Sequence, residues 1–147
     1  MKIFNRKAKR DYDILTKLEA GIVLSGAEVK SIKEGRLQLE DAFVKIKDNQ
    51  IFLINAFISP YKLADNRNYE AKKSRKLLLH KRQINKLAQQ LTTGLTIVPV
   101  CCYNKGRNIK IEIALARGKK QYDKREKIKQ RDWHRQQLRT LKNRIKT

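Results

Sequence analysis

Hydrophobic positions in this chain fall mostly on alternate residues, with two interruptions at helical spacing. DYDILTKLEAGIVLS (11–25) places Tyr12, Ile14, Thr16 and Leu18 on one side, breaks at Gly21, and resumes with Ile22, Val23 and Leu24. That pattern predicts two strands. Ser25-Gly26 reads as a loop. AEVKSIKEG (27–35) then sets Val29 and Ile32 three apart before a glycine stop, which predicts a short helix. From Ala42 the chain alternates again, with Ala42, Val44 and Ile46 opposite Phe43, Lys45 and Lys47. Asp48-Asn49-Gln50 is a turn, and IFLINAFI is the return strand, apolar enough to be well buried. Residues 59–74 are polar and aperiodic, a long loop of the kind that is functional or disordered. A second helix is predicted over about 80–93, with Ile84, Leu87, Ala88 and Leu91 as its stripe and Gly94 as its cap. LTIVPVCCY is a strand that Pro99 marks as an edge or a bulge. After a turn at 104–107, NIKIEIALA points Ile109, Ile111, Ile113 and Leu115 one way, and Lys110 and Glu112 the other.

About six strands and two helices result, joined mostly by tight turns, which connect only antiparallel neighbours. The predicted class is mainly β: a six-stranded antiparallel closed barrel, since closure removes exposed edges. The barrel domain is expected over 1–117 and a tail over 118–147. From Arg117 onward the sequence holds thirteen basic and three acidic residues, a net +10. Most are strong helix formers, yet only Ile128, Trp133, Leu138, Leu141 and Ile145 are apolar, and only the last three share a stripe. A helix charged almost all round has little to bury. The tail is therefore expected to be largely disordered when free and helical on an anionic partner.

Charge sharpens the question of partner. The 147 residues carry 36 Lys+Arg against 14 Asp+Glu, a net +22. Such a chain repels itself until anions neutralise it. Nucleic acid is the first candidate and an anionic membrane surface the second. No stretch is apolar enough to span a bilayer, and the N-terminus has no run of signal-peptide length, so a cytoplasmic protein is expected. Cys101 and Cys102 are adjacent and point to opposite faces of a strand, poorly placed to pair. With only His80 and His134 besides, no zinc spacing can be built, and no cofactor motif appears. Nucleophile signatures are also missing, so no enzyme chemistry is expected.

Basic clusters lie at Arg6-Lys7, Lys9-Arg10, Lys72-Lys73, Arg75-Lys76, Lys81-Arg82 and Lys119-Lys120. Tyr61, Tyr69, Tyr103, Tyr122 and Trp133 are candidate stacking residues or half-buried anchors, Tyr103 read as an anchor. His80 reads as a capping or packing residue. Glu28 is an acid in a basic neighbourhood. Its residues allow two roles: a helix N-terminal charge, or an orienter of a basic side chain or acceptor from a nucleobase.

Three blocks occur in a telling order: EAGIVLSGAEVKSIKEG (19–35), RKLLLHKRQINKL (75–87) and GKKQYDKRE (118–126). With NRKAKRDYDI (5–14) ahead of them, the chain resembles the small protein B family, the SsrA-binding proteins that partner transfer-messenger RNA, over essentially its full length. YEAKKS (69–74) departs from the family's proline- and arginine-containing stretch, and Arg117 stands where lysine is frequent. The resemblance implies an OB-like six-stranded barrel with three helices around it. It implies binding of the tRNA-like domain of transfer-messenger RNA, through Asn5, Arg6, Lys7, Glu28, Lys30, Arg75, Lys76, Lys119 and Lys120. It further implies delivery, with elongation factor Tu, to stalled ribosomes. There the tail would enter the small subunit's vacant decoding region and mRNA channel, using Asp123, Lys124, Arg125, Lys129, Arg131, Trp133, His134 and Arg135. The alternative is a structural ribosomal protein with a basic extension, which shares the size, charge and tail.

Overall fold

A computed structural model describes the backbone of residues 1–119 and 121–146, and the side chains of 1–119 and 128–142. The described elements run β1 (Lys2–Phe4), α1 (Arg6–Asp11), β2 (Tyr12–Ile22), α2 (Gly26–Lys33), β3 (Leu37–Gln38), β4 (Phe43–Lys47), β5 (Gln50–Ile54), β6 (Phe57–Ile58), β7 (Arg75–Leu78), α3 (Lys81–Gln90), β8 (Leu95–Lys105), β9 (Asn108–Gly118) and α4 (Gln121–Lys146). Six strands close on themselves in the order β8-β4-β5-β7-β2-β9, and β9 returns to β8. Every pairing is antiparallel. β1 hangs outside this ring, on β8. β3 and β6 form a separate small pair.

The alternation along β9 decides which way it faces. Ile109, Ile111, Ile113 and Leu115 all enter the main core, where they meet Ile51, Leu53, Leu77 and Ile97. Ala114 and Ala116 are buried on the opposite side, and Ala116 packs with Ala8 of α1 and Val98 of β8. The two cysteines separate as their spacing requires. Cys102 joins the core, and burial with Cys101 alongside pushes its thiol up to about 12. The Cys101 thiol donates to Glu112 at 3.4 Å.

Three local departures from the sequence reading, and one expectation that is met, have physical causes. The break at Gly21 does not end a strand. β2 runs through it, paired with Leu78 on one side and Lys110 on the other, and the glycine allows β7 its close approach, since a Cβ there would sit 3.1 Å from the Leu78 Cβ. IFLINAFI does bend, with Asn55 at φ 64 forming a left-handed corner between β5 and β6. The expected irregularity at Pro99 is a bulge, as the β8–β9 register shifts between Pro99 and Cys101. The third helix around the barrel is α1, too short and too polar to show periodicity, capped by Asn5 and burying only Ala8.

Candidate nucleic-acid interface

β7 alternates inward and outward, and this splits the Arg75-Lys76 cluster. Lys76 faces solvent, while Arg75 points inward and is 2% exposed. A buried guanidinium must place five N–H donors, and Arg75 places all five. Nε donates to Glu28 Oε2. Nη1 donates to the carbonyls of Ala56 at 2.9 Å and Lys73 at 3.1 Å. Nη2 donates to the Ala71 carbonyl at 3.0 Å and the Tyr69 hydroxyl at 3.4 Å. Tyr69 in turn donates to the Ile58 carbonyl at 2.8 Å.

Glu28 completes the arrangement from α2. It is 3% exposed, and its second oxygen accepts from the Ser25 N–H at 3.1 Å and pairs with Lys73 Nζ at 3.4 Å. The Ser25 hydroxyl accepts from the Glu28 N–H, closing a capping box. Burial pushes the Glu28 carboxyl up, but Arg75, the Ser25 amide and Lys73 outweigh it and hold it below the usual carboxylate range. Both readings offered for Glu28 thus hold structurally: it serves the helix start and orients a basic side chain.

The consequence is an ordered loop. Residues 59–74 lack hydrophobic periodicity, yet the Ala71 and Lys73 carbonyls at the segment's C-terminal end are gathered on the same guanidinium as the Ala56 carbonyl, three residues before its start. Tyr61 turns the chain through its carbonyl, which accepts from Asn66 Nδ2 at 2.8 Å. Lys30 lies over the Tyr61 ring at 5.5 Å, and Lys73 over Tyr69 at 5.8 Å. Lys62, Arg67, Lys72 and Lys73 remain exposed along the loop. Nearby, Lys76 lines an open cleft of about 820 Å³ with Lys81, Lys110 and His80. His80 is the N-cap residue of α3, and its N–H donates to Gln83 at 3.2 Å.

The remaining expected residues divide by depth. Asn5 is buried, donating to the carbonyls of Leu39 at 3.0 Å and Pro99 at 2.8 Å and accepting from Ala8 N–H at 3.1 Å. Arg6 is exposed, and Lys7 pairs with Asp41 at 2.9 Å. That pairing raises the lysine's pKa and lowers the aspartate's. Lys119 is tied to α1: its N–H donates to the Asp11 carbonyl at 2.9 Å and its ammonium to the Lys9 carbonyl at 3.4 Å. Tyr103 is an anchor, donating to Glu19, which also takes Lys105 at 3.1 Å. Lys120 lies outside the described residues, as do the side chains of Tyr122, Asp123, Lys124 and Arg125.

Asn5 gives a direct test of structural against contact roles. Asn5→Ala removes a helix cap and strands two buried carbonyls, an expected loss of about 2–4 kcal/mol. Urea titration reads it. An unchanged midpoint with weakened RNA binding would show that Asn5 meets RNA instead.

On α4, Lys129, Arg131, Trp133, His134 and Arg135 are all exposed. Between 131 and 142, at 3.6 residues per turn, Arg131, Arg135, Arg139 and Lys142 align on one side together with Leu138, while Trp133, Gln136, Gln137, Thr140 and Leu141 fall on the other, where Lys129 also lies. Trp133, Leu138 and Leu141 have no cover among the described residues.

Closed small barrel, exposed cations around an ordered loop, and a basic C-terminal helix define a class: a basic OB-like barrel protein with the surface of a nucleic-acid binder. Comparison narrows the class. A family model described as SmpB protein matches residues 2–143. The SsrA-binding protein of Enterococcus faecalis is 51% identical over 140 residues, covering 95% of this chain and 91% of its own. That of Chloroflexus aggregans is 49% identical over 144 residues, covering 97% and 91%. A solved structure described as "tmRNA-SmpB: a journey to the center of the bacterial ribosome" superposes with a TM-score of 0.69 at 39% identity, over 82% of this chain and 85% of that one. The chain belongs to the SmpB family of SsrA-binding proteins.

Proposed function

We propose that this protein binds the tRNA-like domain of transfer-messenger RNA and brings it to stalled bacterial ribosomes, acting in the cytoplasm and catalysing no reaction itself. The observation that carries this is the 51% identity to an SsrA-binding protein across 95% of the chain. The charge supports it, since a net +22 calls for a polyanion.

Residues 1–117 are the RNA-binding unit and 118–147 the ribosome-directed tail, whose first residues still belong to the barrel: β9 runs to Gly118 and Lys119 is bonded to α1. Glu28, Arg75 and Asn5 take part from inside: they hold α2, the 59–74 loop and α1 in place. Lys30 and Lys76, with Arg6 and Lys7, are the surface cations that meet phosphate, and Lys119 and Lys120 extend that surface to the root of the tail. The tail enters the vacant decoding region and mRNA channel. There the Arg131–Lys142 side meets phosphates and Trp133 faces the other way, with Asp123 to Arg125 leading in and Lys129, His134 and Arg135 along the helix. Elongation factor Tu is a partner through the RNA complex. No metal or cofactor enters this reading.

The test is the RNA that co-purifies with the tagged full-length protein, identified by sequencing. One dominant tRNA-like species is expected. Ribosomal RNA alone, retained at one protein per ribosome through a high-salt wash, would instead make the protein a structural ribosomal component.

A further inference from the structure

Phe4 ends β1 and is 50% exposed, a large aromatic ring on the outside of the barrel. Its surroundings are specific. Lys2 Nζ lies 5.1 Å from the ring centroid and Lys9 Nζ 5.3 Å. Two lysines from different elements, β1 and α1, thus converge on one exposed ring. The backbone beneath is fixed, because Phe4 pairs with Cys101 of β8 and the next residue, Asn5, donates its N–H to the Val100 carbonyl at 2.8 Å.

An aromatic face with cations beside it suits an unpaired nucleobase, whose ring stacks while its own phosphates meet the lysines. Cation–π contact at an exposed site is the weaker of the two interactions. A lysine can therefore leave the ring for a phosphate when a base arrives.

Position tells which RNA. β1 is carried by β8, and β7, which bears Arg75, stands three strands from β8 in either direction around the ring. Phe4 and the Glu28–Arg75 surface thus lie on opposite walls. The Phe4 wall also holds the root of the tail, since Lys119 bonds to the carbonyls of Asp11 and Lys9. An RNA that receives the tail passes this ring.

We propose that Phe4, with Lys2 and Lys9, is a stacking platform for an unpaired base of ribosomal RNA. This rests on the reading above, in which the tRNA-like RNA is centred on the Glu28–Arg75 side; Arg6, Lys7, Lys119 and Lys120, on α1 and at the root of the tail, are then cations shared by the two RNAs.

The experiment compares full-length wild type, Phe4→Leu and Phe4→Tyr in two arms: vacant small ribosomal subunits, and a transcript of the tRNA-like domain. Thermal melting checks each variant. Leucine keeps the apolar area and removes the ring. Phe4→Leu should bind small subunits about fivefold to a hundredfold more weakly, Phe4→Tyr should restore binding, and affinity for the transcript should stay within about twofold. Unchanged subunit binding overturns the platform, and a loss confined to the transcript overturns its assignment to ribosomal RNA. A loss in both arms with a lowered melting temperature makes Phe4 structural. In that last case Lys2→Gln with Lys9→Gln, which spares the strand, must still weaken subunit binding, or the proposal is wrong. Should wild type fail to bind the transcript at all, the parent reading falls, and the subunit arm still reads the platform alone.

Discussion

Arg75→Met should destabilise the protein by about 3–5 kcal/mol, the cost of leaving the Glu28 carboxylate buried without its partner. The guanidinium's five bonds reach α2, the end of β5–β6 and the 59–74 loop together, so its loss should loosen the loop first. Urea melts give the global figure, and hydrogen exchange over 59–74 gives the local one. The double variant Glu28→Leu/Arg75→Met should recover much of the loss, because no charge then remains buried. A double variant as unstable as the sum of the singles would show that the two residues act separately.

The pair also sets an acid response. Glu28 is held below its usual range in the folded protein. Its contribution to stability is therefore present above the unfolded carboxylate's pKa and fades as pH falls through the lower, folded value. Glu28→Gln should flatten that part of the stability profile. Binding separates the roles further. Glu28→Ala removes a negative charge, so simple attraction to phosphate predicts tighter RNA binding. Weaker binding is expected instead, because Lys30, Lys73 and the loop lose their anchor.

Deleting residues 121–147 should abolish delivery of the transfer-messenger RNA to stalled ribosomes and leave binding of the tRNA-like RNA largely intact. The cut is set by structure: Arg117 and Gly118 are still paired in β9, and Lys119 is tied to α1, so a cut at 117 would damage the barrel. The deletion removes ten cations and three acids. Affinity for the RNA should then show nearly the same dependence on salt if these cations touch ribosome rather than tRNA-like domain. Measurements at several salt concentrations decide it. A truncated protein that lost RNA affinity as badly as delivery to stalled ribosomes would refute the division into two surfaces.

What the sequence made legible follows from burial geometry. Strands with one wet face announce themselves, and β9 was readable down to the direction of each isoleucine. The helix α2 was readable from two apolar positions and a glycine that does sit at φ 80. β7 was not, because its alternation runs Arg75, Lys76, Leu77, Leu78, and a cation stands where a core residue belongs. The same substitution hid the site. Arg75 and Lys76 read as one basic cluster, although the strand sends them to opposite sides, and no period flags a loop held by a guanidinium. Asn5 was named from resemblance, and only the structure shows that it works as a buried staple. On the tail, counting charges described a helix charged almost all round, and only the short window between 131 and 142 shows a cationic side, with Lys129 just before it on the other face. A pattern in composition is blind to angle.

Ring closure has a consequence for how the protein is made. β2 finds its second neighbour only in β9, and register joins Tyr12 to Gly118, so the N-terminal half waits for almost the whole barrel sequence. Until then β2 offers an open edge to any passing chain. The ring shuts only when β9, the last wall strand in the sequence, pairs with both β2 and β8. Protection of the barrel's edges is therefore the final step of its assembly, and any change that delays β9 prolongs the life of an open sheet.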